Sequence, residues 1–180
     1  MKTDGIFFAG HISIDKVQNV NGLNLQPGGA ALYAAIAART IFENVYLISV
    51  IGRDYPFLSI LDLFPRRYIK ISKSPSTRFS IQYSEAWEAR YLEAKYGSGM
   101  RISPSLIPVE SLGPDSVIHI SPLPPIKVKR IVDIIRDKVP KAKISVNAWM
   151  GYIKGKNKGI LKETASEVDF FILNDLEAKS

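Results

Sequence analysis

Five short apolar segments alternate with helix-like segments along this 180-residue chain, and this alternation constrains the fold more than any other feature. The apolar segments are "GIFFAG", "NVYLISVIG", "SVIHIS", "KISVNAW" and "DFFILN", each rich in β-branched or aromatic residues. Between them, "AALYAAIAARTIF", "YPFLSILDLF", "KVKRIVDIIRDKV" and "ILKETASEV" are predicted helices. Strands that are apolar on both faces and alternate with helices predict an α/β fold, with a mostly parallel sheet between two helix layers.

One stretch departs from this pattern. In "RFSIQYSEAWEARYLEAKYG", Phe79, Ile81 and Tyr83 alternate with polar residues, and a second alternation follows a short polar turn. Period-2 alternation is typical of a strand with one wet face, so the stretch predicts an antiparallel hairpin inserted into the α/β domain. We expect it to form, over about residues 76–97, a small β lid above the carboxyl edge of the main sheet, where open α/β folds bind ligands. Residues 16–27 are expected to add a further strand to this lid.

Composition limits the setting of the protein. There is no cysteine, which excludes disulfides and thiolate metal sites and favours a reducing interior. The N-terminal stretch is not a secretory signal, and no apolar run reaches the roughly 20 residues of a membrane span, so we expect a cytoplasmic protein with no membrane partner. The net charge of +7 is spread along the chain. This favours a solvated basic surface and an anionic ligand such as a nucleotide over a nucleic-acid partner, although the charge alone leaves nucleic-acid binding open.

The segment "QPGGAALYAAIAA" places Gly28 and Gly29 between a predicted lid strand and a predicted helix. A helix N-terminus carries unpaired N–H groups and a positive dipole end, and glycines without Cβ atoms let a ligand approach the backbone. This suits a hydroxyl-rich or anionic ligand. The segment is not a P-loop, because no lysine and serine or threonine follow. A tight turn that needs a positive φ explains the pair equally well.

Asp15 ends the predicted strand "GIFFAGHISID", at what should be the carboxyl edge of the sheet. An ionised carboxylate there can accept hydrogen bonds from two adjacent ligand hydroxyls, as in many polyol sites. A turn or cap aspartate is the alternative interpretation. Asp15 and the glycine pair together therefore predict a site for a small hydroxylated molecule.

These residues resemble the ribokinase family, also called the phosphofructokinase-B (PfkB) family of carbohydrate kinases. Its first signature is a glycine pair that opens a small-residue helix, followed at a fixed distance by a strand ending in glycine. Gly28, Gly29, Ala31 and Ala35 fit the first part, and Gly52 fits the second. The resemblance extends over essentially the whole chain. It implies a ribokinase-like three-layer α/β/α sandwich with an inserted β lid.

Two positions depart from the family signature. Tyr33 stands where the family usually has an asparagine that helps to hold the sugar, and Phe42 replaces a small residue. Tyr33 is therefore a candidate substrate contact, but it leaves the identity of the substrate open. The resemblance implies that Asp15 and the glycine turn hold the substrate hydroxyls. It also makes Arg90 of the predicted hairpin a candidate to reach the substrate, with an ordinary surface charge as the alternative.

A second match lies in "FILNDLEAKS", where Asn174 and Glu177 follow a predicted strand. This is similar to the family's N-x-x-E motif. The resemblance implies that both residues lie beside the phosphates of ATP, and that Glu177 organises Mg²⁺ through water, because magnesium retains most of its hydration shell. A helix cap followed by an acidic residue is the alternative interpretation.

Four further polar residues lie in or at the ends of predicted strands. Asn147 and Ser121 end strands at the expected ligand edge, where either residue can line a site. His11 and His119 lie inside apolar strands, and we expect them to be hydrogen-bonded core or edge residues and not metal ligands.

The second family signature, a D-T-x-G-A-G-D-like stretch, does not occur in these residues. In the family it supplies the anion hole for the transferring phosphate and the aspartate that accepts the substrate proton. We therefore expect residues 1–180 to be a partial ribokinase-like domain from a longer kinase, with the C-terminal part missing, one side of the sheet uncovered and no activity alone. The complete protein is expected to use ATP and Mg²⁺ to phosphorylate a sugar, inositol-like polyol or nucleoside. The alternative is a non-catalytic polyol- or nucleoside-binding module that forms homodimers through its lid strands.

Overall fold

The main sheet of the protein has six strands, all parallel, as seen in a computed structural model that describes residues 2–153, 155 and 157–180. In chain order these strands are β1 (Ile6–Ala9), β4 (Val45–Gly52), β5 (Ile69–Ser72), β8 (Val117–Ile120), β9 (Lys143–Asn147) and β10 (Phe170–Ile172). Their spatial order is β10-β9-β8-β1-β4-β5. Five of them are the predicted strands. The edge strand β5 was missed because it is only four residues long and half of it is exposed.

Within the described residues, four α-helices accompany the sheet: α1 (Ala30–Arg39), α2 (Pro125–Lys138), α3 (Asn157–Glu167) and α4 (Asp175–Ala178). The predicted helix at 55–64 is wrong, because the chain there forms a 3₁₀ segment at Leu58–Leu63. Pro65 helps to end this segment, because the residue before a proline is disfavoured in the helical region, and Phe64 is extended with φ −127° and ψ 152°. Within the described ranges, no helix combines the length and the apolar character needed to cross a membrane.

Alternate residues of the central strands feed two apolar layers, which confirms the predicted three-layer arrangement. Phe7 and Ile48 pack on the side of α2, whereas Phe8 and Leu47 pack on the side of α1. The buried face of α2 consists of Val128, Ile131, Val132 and Ile135, which recur at helical spacing in the sequence, together with Pro125 at its start. The outermost strand is less well covered, since Phe170 is 58% exposed.

A second, four-stranded sheet has the order β3-β2-β6-β7. Its strands are β2 (Ser13–Asn19), β3 (Gly22–Gly28), β6 (Thr77–Tyr83) and β7 (Ala89–Lys95). The first lid segment therefore begins at residue 13, not 16, and contributes two strands. The sheet is also mixed and not purely antiparallel, because β2 pairs with β6 in parallel while the two hairpins, β2–β3 and β6–β7, are antiparallel.

Candidate functional site

A cavity of about 460 Å³ lies between the second sheet and the carboxyl edge of the main sheet. It opens where the chain order of the main sheet reverses, since β1 lies between β4 and β8. From β1 the chain leads through β2 and β3 of the second sheet to α1 on one face of the main sheet. From β8 it leads to α2 on the other face. Open α/β sheets bind ligands at such a switch point, outside the carboxyl ends of the strands. The fold thus places the cavity where a ligand site is expected.

Asp15 lines this cavity, but from a different element than the sequence suggested. It lies within β2 of the second sheet and does not end a strand of the main sheet, because β1 ends at Ala9 and a new strand begins at Ser13. The carboxylate is 5% exposed and accepts a hydrogen bond from Ser13 Oγ at 2.6 Å. Burial raises the pKa of Asp15, and the Ser13 hydrogen bond offsets part of this shift. A buried carboxylate with so little compensation is well suited to accept hydrogen bonds from a ligand.

The structure gives a reason for both glycines of the pair. A Cβ on Gly28 would lie 2.0 Å from Asp15 Oδ2, so this glycine makes room for the buried carboxylate. Gly29 has φ +104°, and a Cβ there would lie 2.1 Å from the His11 carbonyl oxygen. The pair is thus required by the protein's own packing. Gly29 also lines the cavity as the N-cap of α1, a helix start with no side-chain cap.

Tyr33 projects from the first turn of α1 and lines the same cavity. Its hydroxyl donates to the Pro27 carbonyl oxygen at 2.8 Å and accepts from Gln26 Nε2 at 3.2 Å. Burial, followed by the nearby charge of Asp15, raises the pKa of Tyr33. Tyr33 therefore ties α1 to the end of β3 and forms part of the cavity wall.

Six further aromatic side chains line the cavity, and the sequence pattern did not mark them as site residues. They are Phe79, Tyr83, Tyr91, Tyr96, Trp149 and Tyr152. Phe79 and Tyr83 belong to the alternating apolar face of the predicted hairpin. The period-2 pattern could therefore have identified them, because this apolar face covers the cavity. Trp149 and Tyr152 contact each other with ring centroids 5.3 Å apart and come from an irregular turn that no periodicity marks.

Two predicted substrate contacts lie elsewhere. Arg90 is exposed on β7 and is not part of the cavity wall formed by the described residues. Asn147 ends β9 as predicted, but its Nδ2 donates to the Ala148 carbonyl oxygen at 3.4 Å, outside that wall. Ser121, in contrast, does line the cavity.

His11 contradicts the expectation of a hydrogen-bonded strand residue. It lies in the connection between β1 and β2, is 7% exposed and lines the cavity. Neither ring nitrogen has a hydrogen-bond partner among the described residues. Burial, followed by the positive charge of Lys127, lowers the pKa of His11 to about 4. His119 does follow expectation, with Nδ1 3.0 Å from Ser145 Oγ.

Asn174 and Glu177 form a capping box at the start of α4. Asn174 Oδ1 accepts from the Glu177 N–H at 2.8 Å, and Glu177 Oε2 accepts from the Asn174 N–H at 3.0 Å. Glu177 Oε1 accepts from the Met150 N–H at 3.1 Å. Glu177 is therefore buried and holds the turn between Trp149 and Tyr152, two residues of the cavity wall. In the part of the chain that the structure describes, no three His, Cys, Asp or Glu side chains cluster as metal ligands.

Comparisons with known proteins agree with this architecture, although no family model matches the chain. The cytidine kinase of Thermococcus kodakarensis is 27% identical over 176 residues, which cover 94% of this chain and 61% of that protein. A nucleoside kinase from Burkholderia thailandensis, solved in complex with inosine, superposes with a TM-score of 0.83 at 14% identity, covering 97% of this chain and 62% of that one. A ribokinase from Cryptococcus neoformans, solved with ADP, superposes with a TM-score of 0.79 at 18% identity, covering 98% of this chain and 60% of that one.

The chain thus spans about three-fifths of the length of these proteins. The similarity extends through both sheets, because nearly all of this chain is covered in each comparison. The chain therefore has the ribokinase-like fold and resembles kinases of the ribokinase family over about three-fifths of their length.

Proposed function

We propose that this chain is the acceptor-binding part of an ATP-dependent kinase that transfers the γ-phosphoryl group to a hydroxyl of a small polyhydroxylated molecule. The observation that carries this proposal is the Asp15 carboxylate, which is buried beside the start of α1 and lines the cavity under the second sheet. An ionised carboxylate accepts hydrogen bonds from two ligand hydroxyls, and the uncapped N–H groups of α1 suit an oxygen-rich partner.

Among sugars, inositol-like polyols and nucleosides, the wall of the cavity favours a nucleoside. Seven Phe, Tyr and Trp side chains of the described residues, Tyr33 included, line the space, and stacking on aromatic side chains contributes about 1–3 kcal/mol for each nucleobase. A free sugar or inositol offers no comparable flat apolar surface. The most similar proteins named above include a cytidine kinase and a nucleoside kinase solved with inosine, which supports this choice.

ATP is the proposed phosphoryl donor, supported by the kinases that this chain resembles, one of them solved with ADP. The described residues do not by themselves provide a magnesium site, because both oxygens of Glu177 accept backbone N–H groups. We propose that Asn174 and Glu177 lie beside the nucleotide phosphates. Glu177 would then contact Mg²⁺ only through water, because both of its oxygens already accept backbone N–H groups. The base that accepts the substrate proton is proposed to lie in the D-T-x-G-A-G-D-like stretch, which these 180 residues do not contain.

We further propose a cytoplasmic homodimer that associates through the second sheet. The β2–β3 hairpin exposes Val20, Leu23 and Leu25, each more than half accessible. Unpaired strand edges and exposed apolar side chains favour pairing with a second copy. Light scattering should give twice the mass of one chain, and a charged substitution at Leu25 should reduce that mass to a monomer.

The test uses the complete product of the gene. Cytidine, inosine, D-ribose and myo-inositol are titrated in turn by calorimetry, and each is then assayed for ATP-dependent phosphorylation. We expect the two nucleosides to bind at least about tenfold more tightly than ribose, because only they can stack on the aromatic wall. We also expect Asp15→Asn to weaken the binding of every ligand that contacts the site through hydroxyl groups.

The outcomes separate the alternatives. Phosphorylation of a nucleoside supports the kinase, whereas binding without phosphorylation by the complete product supports the non-catalytic binding module. If none of the four compounds binds, both hypotheses fail. If ribose binds tightly and the two nucleosides bind no more tightly than ribose, the preference for nucleosides is contradicted, but the kinase hypothesis is not.

A further inference from the structure

We propose that Asp54 is a positioning residue for the cavity: it anchors the start of β6 and thereby holds the Phe79 ring beside Asp15, where the ring stacks on the base of a nucleoside. This inference rests on the proposed function, because it concerns nucleoside binding in the same cavity. Asp54 lies outside the cavity wall formed by the described residues, so it acts on the ligand through β6.

The first argument is the set of hydrogen bonds that Asp54 accepts from the start of β6. Its Oδ1 accepts from the Ser76 N–H and from Ser76 Oγ, both at 2.8 Å, and its Oδ2 accepts from Arg78 Nη2 at 2.7 Å. Ser76 Oγ in turn accepts from the Gly52 N–H at 3.0 Å. Asp54 follows β4 of the main sheet, whereas Ser76 immediately precedes β6 and Arg78 lies within it. One carboxylate therefore joins the two sheets at this point.

The second argument is the packing around these hydrogen bonds. Ser76 is 1% exposed, and Thr77, the first residue of β6, is fully buried. A Cβ on Gly52 would lie 2.3 Å from Asp54 Oδ1 and 2.5 Å from the Ser76 nitrogen, so the contact between Asp54 and Ser76 requires a glycine there. Closely packed, hydrogen-bonded groups of this kind fix the backbone around them. The start of β6 is therefore held in one position relative to β4.

The third argument is the charge of Asp54. Partial burial raises the pKa of Asp54, but the hydrogen bonds from Arg78 and Ser76 outweigh burial and lower this pKa to about 2. The carboxylate is therefore ionised near pH 7, and hydrogen bonds to a charged acceptor are stronger than those to a neutral one. The ion pair with Arg78 is partly exposed and contributes little alone, so the two bonds from Ser76 carry most of the anchoring.

The fourth argument is the path from this anchor to the cavity. β6 pairs in parallel with β2, and their register places Phe79 opposite Asp15. Both side chains line the cavity, and the Phe79 ring meets Tyr91 edge-to-face with centroids 5.9 Å apart. A binding residue needs supporting contacts that hold it in place, so a displaced start of β6 would move Phe79. Asp15 has its own connection to the main sheet, because β2 follows β1.

The test compares Asp54→Ala with Asp62→Ala in the complete protein. Asp62 is the matched control: its Oδ1 also accepts from an arginine, Arg66 Nη2, at 2.7 Å, but neither residue belongs to the second sheet or to the described cavity wall. Cytidine and D-ribose are titrated into each variant by calorimetry. We expect Asp54→Ala to weaken cytidine binding about fivefold and ribose binding less than about twofold, because only the base stacks on Phe79. Asp62→Ala should change neither affinity by more than about twofold.

Two further measurements distinguish the positioning of Phe79 from a general loss of stability. In a Phe79→Leu background, Asp54→Ala should change cytidine binding less than about twofold, which a thermodynamic cycle detects. In the protein without ligand, hydrogen exchange should become at least about fivefold faster in β6 and stay unchanged in β8. Asp54→Asn keeps an oxygen that accepts from Ser76, so it should weaken cytidine binding only about threefold, and it carries the test where Asp54→Ala does not fold.

The proposal is overturned if every folded Asp54 variant binds cytidine within about twofold of the wild type, if cytidine and ribose lose affinity equally, or if hydrogen exchange in β6 does not change. These results are distinct from failure of the proposed function, in which the wild-type protein itself binds none of the nucleosides. In that case, hydrogen exchange in β6 still tests whether Asp54 anchors the strand.

Discussion

Asp15 and Glu177 are both buried carboxylates close to the cavity, yet they differ in how many hydrogen bonds they accept from the protein. Asp15 is 5% exposed and accepts one hydrogen bond, from Ser13. Glu177 is 9% exposed, and each of its oxygens accepts a backbone N–H. A carboxylate that is buried with few partners retains acceptor capacity for a ligand, whereas a satisfied one stabilises the chain around it. This difference supports the proposal that Asp15 binds the ligand and that Glu177 positions the turn beside the cavity.

The largest expected effect concerns the backbone beside Asp15. Gly29→Ala should lower the free energy of unfolding by more than about 3 kcal/mol, because the new Cβ meets the His11 carbonyl oxygen at a strained positive φ. Gly22 is a matched control: it has φ +115° but nothing within 4 Å of the added Cβ. Gly22→Ala should therefore cost only about 1 kcal/mol. Urea denaturation measures both, and equal losses would show that the His11 contact is unimportant.

Asp15→Asn tests the binding side of the comparison. Removing the charge should weaken nucleoside binding about 30-fold, which corresponds to the loss of charge-assisted hydrogen bonds worth about 2 kcal/mol. The free energy of unfolding at pH 7 should not fall, because the substitution removes a poorly compensated buried charge. Calorimetry and urea denaturation check the two parts separately. A variant that loses stability in proportion to affinity would assign Asp15 a structural role.

Glu177→Ala tests the other side and should show the reverse order of effects. Two backbone N–H groups lose their acceptor, so the free energy of unfolding should fall by about 1.5 kcal/mol. Affinity for the nucleoside should fall only about threefold, because the turn at Trp149 becomes looser. Trp149 fluorescence should shift as well, and it is measured in a Trp87→Phe background, which leaves Trp149 as the fluorophore. Glu163→Ala is the control, since Glu163 is exposed and Lys129 keeps Asp133 and Glu167 as partners, so the loss of this ion pair costs less than about 1 kcal/mol. Loss of affinity without loss of stability would instead favour direct nucleotide contact by Glu177.

Much of this organisation could be predicted from the sequence, because it follows from periodic burial. The apolar runs predict five of the six core strands, and the apolar face of α2 is buried as its spacing requires. Asp15 was singled out from the sequence and does line the cavity, but it was placed on the wrong element, since "GIFFAGHISID" reads as one strand although the chain turns at Gly10 and His11. No local pattern marks that turn as a sheet-to-sheet crossing.

The aromatic wall escaped prediction for a related reason. Phe79 and Tyr83 alternate as strand residues do, and only the packing of the second sheet over the first makes their face a ligand surface. Trp149 is positioned by the hydrogen bond between Met150 and Glu177, residues 27 positions apart. Contacts of this kind depend on tertiary geometry, which residue spacing does not encode.

The pH dependence of stability provides the finest test of the comparison, with the smallest effect. The pKa of Asp15 is raised above its ordinary value of 3.8, so the folded protein holds this proton more tightly than the unfolded chain. The resulting stabilisation is complete below pH 3.8 and is lost as the pH rises through the raised pKa. His11, with a pKa lowered to about 4, acts in the opposite sense: its contribution is present above pH 6.5 and is lost as the pH falls through about 4.

Asp15→Asn removes the first contribution and keeps the second. The stability of the variant relative to the wild type should therefore increase as the pH rises from 3 through the raised pKa of Asp15 and become constant above it, as measured by urea denaturation across that range. A relative stability of Asp15→Asn that is flat with pH, or that decreases as pH rises, would mean that burial of the Asp15 carboxylate is well compensated, and the distinction between Asp15 and Glu177 drawn from their hydrogen bonds would fail.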